Sequence, residues 1–274
     1  MPRHGTDDES LKNGGPRSVT RVMDILDQLA RVPTNLSLSY ISDALELPKT
    51  STFNLLKALE KGGYIVQEVG GYKLGPEAFR LASAISTQQS LPALLRPLLE
   101  RVARQCGETI ILGVLGESGI EARYADVIES RSPLRFSVQV GDTRPLHSST
   151  TGKIFLAHFS RRRLQEYLTS VPREQYTPRT ITKKAALVAE VDAIRKNLVA
   201  ENIDGMVEGI TSYGAPVYDH AGVARAALVI SGPDMRMTPR EQEIRDLLLQ
   251  SAREMSRLLN CTEHYPPHHV AELD

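Results

Sequence analysis

From Leu38 to Lys57 the chain reads LSYISDALELPKTSTFNLLK, and its apolar positions change phase once. Leu38, Ile41, Ala44 and Leu45 recur at helical spacing, Glu46-Leu47-Pro48 interrupts, and Thr52, Phe53, Leu55, Leu56 and Leu59 resume the repeat. Proline lacks an N–H and fixes its own φ, so Pro48 suits the first turn of a new helix and biases Leu47 out of the helical region. Two short helices at an angle are predicted. Upstream, Ser18 is placed to cap a helix whose stripe is Val19, Val22, Ile25, Leu26 and Leu29, ending before Pro33. Downstream, Gly62-Gly63 ends the second helix, Tyr64 to Val69 reads as a strand, Gly70-Gly71 as a two-residue turn, and Tyr72-Lys73-Leu74 as the return strand.

The polar face of the second helix adds chemistry. Lys49, Thr50, Ser51, Asn54 and Lys57 point away from the Leu55, Leu56 and Leu59 stripe, with no acid until Glu60. Hydroxyls and lysines can hold phosphates, and an asparagine amide can pair bidentately with adenine in the major groove. A solvated helix face carries the same residue types, so the face alone leaves both readings open. A helix, a helix-turn-helix and a β-wing in this order form a winged helix-turn-helix, in which the second helix of the motif reads the groove. Arg17, Arg21 and Lys73 would add local positive charge to Lys49 and Lys57.

After the wing the period changes. Glu77 to Gln89 reads as a connecting helix with Ala78, Leu81, Ala82 and Ile85 on one stripe, and Ala93 to Gln105 as a helix with a broad face of Leu94, Leu95, Leu98, Leu99 and Val102. Strands are predicted at Thr109–Leu115, Glu121–Ile128, Leu134–Val140, Ser212–Tyr218 and Val223–Ser231, and helices at Thr150–His158, Arg161–Leu168 and Lys183–Val199. The last helix, Pro239 to Leu259, takes Thr238 as N-cap and Glu241 as its capping-box partner. Strands and helices mixed without strict alternation argue for an α+β domain on a mostly antiparallel sheet.

Composition narrows the class. A chain of 274 residues with 41% hydrophobic content has room for two ordinary domains. Lysine plus arginine and aspartate plus glutamate both number 33, so a nucleic-acid footprint must be local. The longest apolar runs are far too short to cross a bilayer, residues 1–15 read as a polar, disordered leader rather than a signal peptide, and Cys106 and Cys261 suggest no disulfide framework. A cytoplasmic protein is expected. Pro266-Pro267 and the polar end suggest a mobile tail, and Cys261, His264, His268 and His269 match no standard zinc spacing.

Leu146-His147-Ser148-Ser149-Thr150-Thr151-Gly152-Lys153 is the strongest candidate site in the second half. Unpaired N–H groups, hydroxyls and the positive end of a predicted helix can converge there on an anion, while simple N-capping by one hydroxyl would account for it equally well. Enzyme motifs are absent. A phosphate-binding loop ending in Thr151-Gly152-Lys153 would need glycine at His147, and Gly116-Glu117-Ser118-Gly119 lacks the last glycine position of a nucleophile elbow. Nothing in the order of residues places Cys106 beside His147 as a thiol and base. Neither cofactor nor metal is expected.

The run RSVTRVMDILDQLA…LSLSYISDALELPKTSTFNLLKALEKGGYIVQ…GGYKLGPEAFRLA resembles the amino-terminal domain of the IclR family of bacterial transcriptional regulators. Gly107-Glu108-Thr109, Pro145-Leu146-His147-Ser148-Ser149, Gly152-Lys153, Tyr176 to Thr182, Ala215-Pro216-Val217 and Ser231-Gly232-Pro233 are similar to its GAF-like effector domain. The resemblance implies a plan of winged helix-turn-helix (16–76), linker helix (77–91), effector-binding domain (92–260) and C-terminal tail (261–274). It further implies a homodimer or dimer of dimers on a double-stranded operator, no catalytic activity, and an effector cavity lined by Thr150, Thr151, Ser212 and Ser231, with Ser149, Asn202 and Val229 beside them.

Four departures stand out. Relatives often carry Arg at Asn54, Cys at Ser212 and Ser at Val229, and the acidic loop usual before Gly209 is replaced by Asn202 to Val207. The expected effector is a small carboxylate, aromatic ones included, with its anionic end at Ser149 to Thr151 and an apolar wall opposite. The competing expectation is a GAF-like ligand-binding or catalytic module whose helix-turn-helix serves protein contacts.

Overall fold

The computed structural model describes residues 17–32, 34–88, 90–261 and 264–274, so the expected leader, Pro33 and Gln89 lie outside the described residues. It divides into two compact units, Met1–Ser90 and Leu91–Asp274.

The first unit contains α1 (Arg17–Arg31), α2 (Leu38–Ala44), α3 (Lys49–Lys61), β1 (Ile65–Glu68), β2 (Gly71–Leu74) and α4 (Pro76–Gln88). Ile25, Leu29, Ile41, Leu56, Leu59, Ile65 and Tyr72 are buried together, which is the core the helical repeat selects. Ser18 is not a cap, because α1 already begins at Arg17; the hydroxyl that caps a helix here is Ser37, which accepts from the Tyr40 N–H at the start of α2. Pro48 is the residue just before α3, and Glu46 makes the turn with φ of 51°. Phe53 leaves the predicted stripe and is 39% exposed. Its neighbours Thr52 and Leu56 take the inward positions of that turn.

The wing turn is shifted by one residue from the predicted Gly70-Gly71. Glu68 pairs with Gly71, so the loop is Val69-Gly70, with Val69 fully exposed. Gly71 is fixed in the strand by crowding, since a Cβ there would lie 2.2 Å from the Leu36 carbonyl oxygen. Leu36 in turn exchanges two backbone hydrogen bonds with Tyr72. In α4, Leu81 of the expected apolar stripe is 44% exposed.

The second unit is built on one antiparallel sheet of six strands in the order β5-β4-β3-β8-β7-β6. These are β3 (Thr109–Leu115), β4 (Glu121–Ile128), β5 (Thr143–Pro145), β6 (Ala200–Ile203), β7 (Ile210–Tyr218) and β8 (Ala224–Pro233). Along β3, Ile110 and Leu112 pack with α5 (Leu91–Cys106) and the last helix, while Ile111 packs on the other face. Because both faces are covered, the central strands β3, β7 and β8 are buried along nearly their whole length instead of alternating. The second face carries α6 (Thr150–His158), α7 (Arg161–Ser170) and α8 (Lys184–Asn197).

Three expectations fail here. Leu134–Val140 is not a strand: the sheet edge beside β4 is taken by the short β5, so the run has no ladder partner and meets the sheet through the Thr109 hydroxyl on the Phe136 carbonyl at 2.6 Å. Thr238 does not cap the last helix. The chain makes one turn as α9 (Asp234–Met237) and a 3₁₀ turn (Thr238–Arg240) before α10 (Glu241–Leu258), and the Thr238 hydroxyl donates to the Asp234 carboxylate at 2.7 Å. Residues 264–274, expected to be a mobile tail, are bound along the unit. The Tyr265 hydroxyl donates to the Pro216 carbonyl at 2.8 Å, and the Leu273 N–H to the His158 carbonyl at 2.7 Å. Among the described residues no helix is long and apolar enough to cross a membrane.

Candidate functional site

Helix α3 presents Lys49, Thr50, Asn54 and Lys57 to solvent, with Ser51 half-buried at its edge. The fold produces this face simply: Thr52, Leu56 and Leu59 are the buried positions, so residues between them in the helical turn face outward. The first turn contains no acid, and its free N–H groups add positive potential beside Lys49. The Lys57 ammonium sits 5.1 Å above the exposed Phe53 ring, an aromatic that periodicity had placed inside. In the wing, Lys73 is paired with Glu68 at 2.6 Å and is less available to a phosphate than the α3 lysines. Arg21 lies half-buried on α1, and Arg17 opens that helix with its side chain outside the described residues.

The second candidate is a cavity of about 30 Å³ between α6 and the sheet. All nine residues of α6 are buried, so its N-terminus is aimed into protein rather than solvent. Two glycines permit this approach: a Cβ at Gly113 on β3 would lie 2.1 Å from Thr151 Cγ2, and one at Gly214 on β7 would lie 2.7 Å from Thr150 Cγ2. Ser149 is both the cap and spent as one. Its hydroxyl accepts from the Gly152 N–H at 3.1 Å and donates to the Pro145 carbonyl at 2.8 Å. The Thr150 and Thr151 N–H groups have no partner among the described residues. The capping alternative of the sequence is therefore met by Ser149 alone, and the two N–H groups beside it stay open.

Ser149, Thr150, Thr151, Asn202, Ser212 and Val229 all line this cavity. Ser231 does not. It is fully buried behind the wall, where its hydroxyl shares a 2.6 Å hydrogen bond with that of Ser212, its partner across the β7–β8 ladder. The apolar half of the wall was largely missed, because Ile111, Tyr124, Phe136, Met206, Val207 and Ile210 come from separate strands and loops. Burial raises the Tyr124 phenol above its ordinary range, with Arg144 packed over its ring at 5.3 Å.

Below the floor, Lys153 is 4% exposed and reaches Glu190 at 3.1 Å. Burial lowers its pKa, while Glu190 opposes the shift. His147 is held low by burial too. Its Nε2 must donate to the Glu174 carbonyl at 2.9 Å, which leaves Nδ1 an acceptor without a partner. Among the described residues no group of three or more His, Cys, Asp or Glu side chains is placed to hold a metal.

An exposed reading helix behind a wing, and a sheet domain with a small donor-lined cavity, define a DNA-binding regulator with an effector-binding domain. The comparisons give the family. Residues 18–69 match the IclR helix-turn-helix domain and residues 83–257 the C-terminal domain of bacterial transcriptional regulator IclR, and the chain belongs to the IclR family of transcriptional regulators. The HTH-type transcriptional regulator BhcR of Paracoccus denitrificans is 32% identical over 247 residues, covering 89% of this chain and 88% of that one. A protein of Silicibacter sp. TM1040 assigned as an IclR transcriptional regulator superposes with a TM-score of 0.76 at 22% identity, covering 88% of this chain and 95% of that one. An IclR homologue of Microbacterium hydrocarbonoxydans, solved as a complex with 4-hydroxybenzoate, gives 0.59 at 22% identity over 89% and 100% of the two chains. The relatives are transcriptional regulators rather than enzymes.

Proposed function

We propose that the chain binds an operator as a homodimer or dimer of dimers through Lys49, Thr50, Ser51, Asn54 and Lys57, aided by Arg17, Arg21 and Lys73, and that its second unit senses a small carboxylate. In this reading Asn54 contacts a base edge, and the hydroxyls and lysines hold phosphates. One short helix makes few contacts, so pairing two readers supplies the affinity through effective concentration.

The observation that carries the effector reading is the polarity of the cavity. Two unpartnered N–H groups and the Thr150, Thr151 and Ser212 hydroxyls lie in the same wall as Tyr124, Phe136 and Val229. A carboxylate bonded to an apolar or aromatic body matches both halves. A cavity of about 30 Å³ holds on the order of one water, so entry of an acid requires the wall to move. The movable part is the segment carrying Met206 and Val207, with Val207 46% exposed. It is held by the Thr177 hydroxyl on the Asp204 carbonyl at 2.5 Å and the Thr180 hydroxyl on the Gly205 carbonyl at 2.8 Å. The effector then shifts operator occupancy by as much as its affinities for the two arrangements differ.

The test is fluorescence anisotropy of the full chain on duplex DNA from its own upstream region against a scrambled duplex, at two salt concentrations, with small carboxylates including 4-hydroxybenzoate. Preferential, salt-sensitive binding that an acid alters is expected. Equal affinity for both duplexes at low salt would point to a helix-turn-helix that serves protein contacts, and a response only to neutral or cationic compounds would remove the carboxylate.

A further inference from the structure

The geometry points to Lys153 as a positioning residue for the effector cavity: its ammonium turns the Asn202 carboxamide oxygen away and leaves an N–H at the cavity wall, so that position 202 selects an anion over the matching amide. The inference rests on reading the cavity as the effector site and adds to it a residue outside the wall.

The hydrogen-bond arithmetic is closed at Lys153. Its three ammonium hydrogens meet three acceptors, Glu190 Oε1 at 3.1 Å, the Glu201 carbonyl oxygen at 3.1 Å and Asn202 Oδ1 at 3.2 Å. Asn202, 8% exposed on β6, answers with Nδ2 donating to the Ser148 carbonyl at 2.9 Å. Rotating the amide by half a turn would put N–H against the ammonium and oxygen against the Ser148 carbonyl, two repulsions in place of two bonds, so the orientation is set from both ends.

The Oδ1 side is further closed by the buried Gly205, where an added Cβ would lie 2.0 Å from that oxygen. One hydrogen of Nδ2 remains, and Asn202 lines the cavity, so what the residue offers a ligand is a donor. The Glu190 charge balances Lys153, so the wall gains a directed donor without a net charge of its own. An acceptor-only carboxylate satisfies this N–H, the Thr150 and Thr151 N–H groups and the nearby hydroxyls together. An amide of the same shape brings two donors to a site that already presents donors.

Two measurements on the full chain test this. The first needs no ligand: thermal unfolding of Lys153→Met, Asn202→Leu and the double variant. The two single losses in Tm should exceed the loss in the double variant by roughly 3 °C or more, because the second substitution removes a partner already gone. Additive losses would overturn the proposal whatever the cavity binds.

The second is titration with 4-hydroxybenzoate and 4-hydroxybenzamide. The parent chain should prefer the acid by about tenfold and Lys153→Met should lose most of that preference, the value of roughly one directed hydrogen bond. A purely structural role would weaken both probes together, and an unchanged ratio would overturn the proposal. Should Lys153→Met fail to fold, Asn202→Asp carries the same test, since it keeps a partner for Lys153 and replaces the N–H by a second oxygen. The acid-to-amide ratio should fall at least tenfold, and a ratio left unchanged would overturn the proposal. Coupling in the unfolding cycle with a parent chain that takes neither probe would keep the Asn202 orientation but overturn the selection, and would identify the carboxylate reading as the part that failed.

Discussion

Helices α3 and α6 both begin on a run of hydroxyl residues, Thr50-Ser51-Thr52 in one and Ser149-Thr150-Thr151 in the other. In α3 only Thr52, Leu56 and Leu59 are buried, no side chain caps the helix, and Lys49, Asn54 and Lys57 share the open face. In α6 every residue is buried and the cap serine is fully hydrogen-bonded. In the proposed reading, the difference lets one set of donors suit two kinds of anion. Exposed at a surface, N–H groups, hydroxyls and lysines suit a large polyanion whose contacts are individually weak and screened by salt. Enclosed against a sheet, the same groups suit one small anion, are strengthened by the low dielectric, and discriminate by shape and by hydrogen-bond direction.

The enclosed site depends most on the glycines that admit α6. Gly113→Val should push Thr151 off β3, cost about 3 kcal/mol by overpacking and lower the Tm of the second unit by roughly 6–10 °C, with the effector response lost in calorimetry. The matching change on the reader is Asn54→Ala. Specific operator affinity should fall by about 1–3 kcal/mol, while binding to scrambled duplex and effector affinity in parallel titrations stay within twofold.

Thr150→Val keeps the methyl packed near Gly214 and removes the hydroxyl, so effector affinity should fall by about 1 kcal/mol, roughly fivefold, with operator binding in the absence of effector unchanged. Lys49→Ala should weaken all duplexes alike and reduce the slope of log K against log salt by about 1 for each copy of α3 on the DNA.

The smallest effect is in pH. Burial holds His158 below the ordinary histidine value of 6.5. Its Nδ1 donates to the Ile154 carbonyl at 2.7 Å and its Nε2 lies 2.8 Å from the Tyr218 hydroxyl, which therefore donates to it. The unfolded chain binds this proton first, so stability falls as pH drops from about 6.5 towards the lower folded pKa. Denaturant melts of His158→Gln across that window should show a shallower acid slope than the parent.

Legibility differed between the same two regions. Around α3 every element was readable, because local signals decide it: the phase break at Pro48, the glycine stop at Gly62-Gly63 and the two-strand wing involve residues near in sequence. Even there, the inward Phe53 and the Gly70-Gly71 turn were misplaced by a residue or a helical step, since Val69 and Phe53 are apolar residues that the fold leaves outside. Around α6 the hydroxyl cluster could be read, but its opposing wall could not. Tyr124, Phe136, Met206 and Ile210 meet only through the sheet order β5-β4-β3-β8-β7-β6, and no spacing encodes that order. Strand β6 was missed because four residues after a helix carry too little alternation to register, and Ser231 was assigned to the wall from a resemblance that does not distinguish a lining residue from the one behind it.

That the two helices do separable jobs can be checked by anisotropy on upstream duplex, with and without 4-hydroxybenzoate, for the parent chain, Asn54→Ala and Thr150→Val. Asn54→Ala should lose preference for the upstream duplex while still binding the acid in a parallel calorimetric titration. Thr150→Val should keep that preference while needing several-fold more acid to alter it. Equal loss of both properties in either variant, with Tm unchanged, would show that the two helices do not act separately.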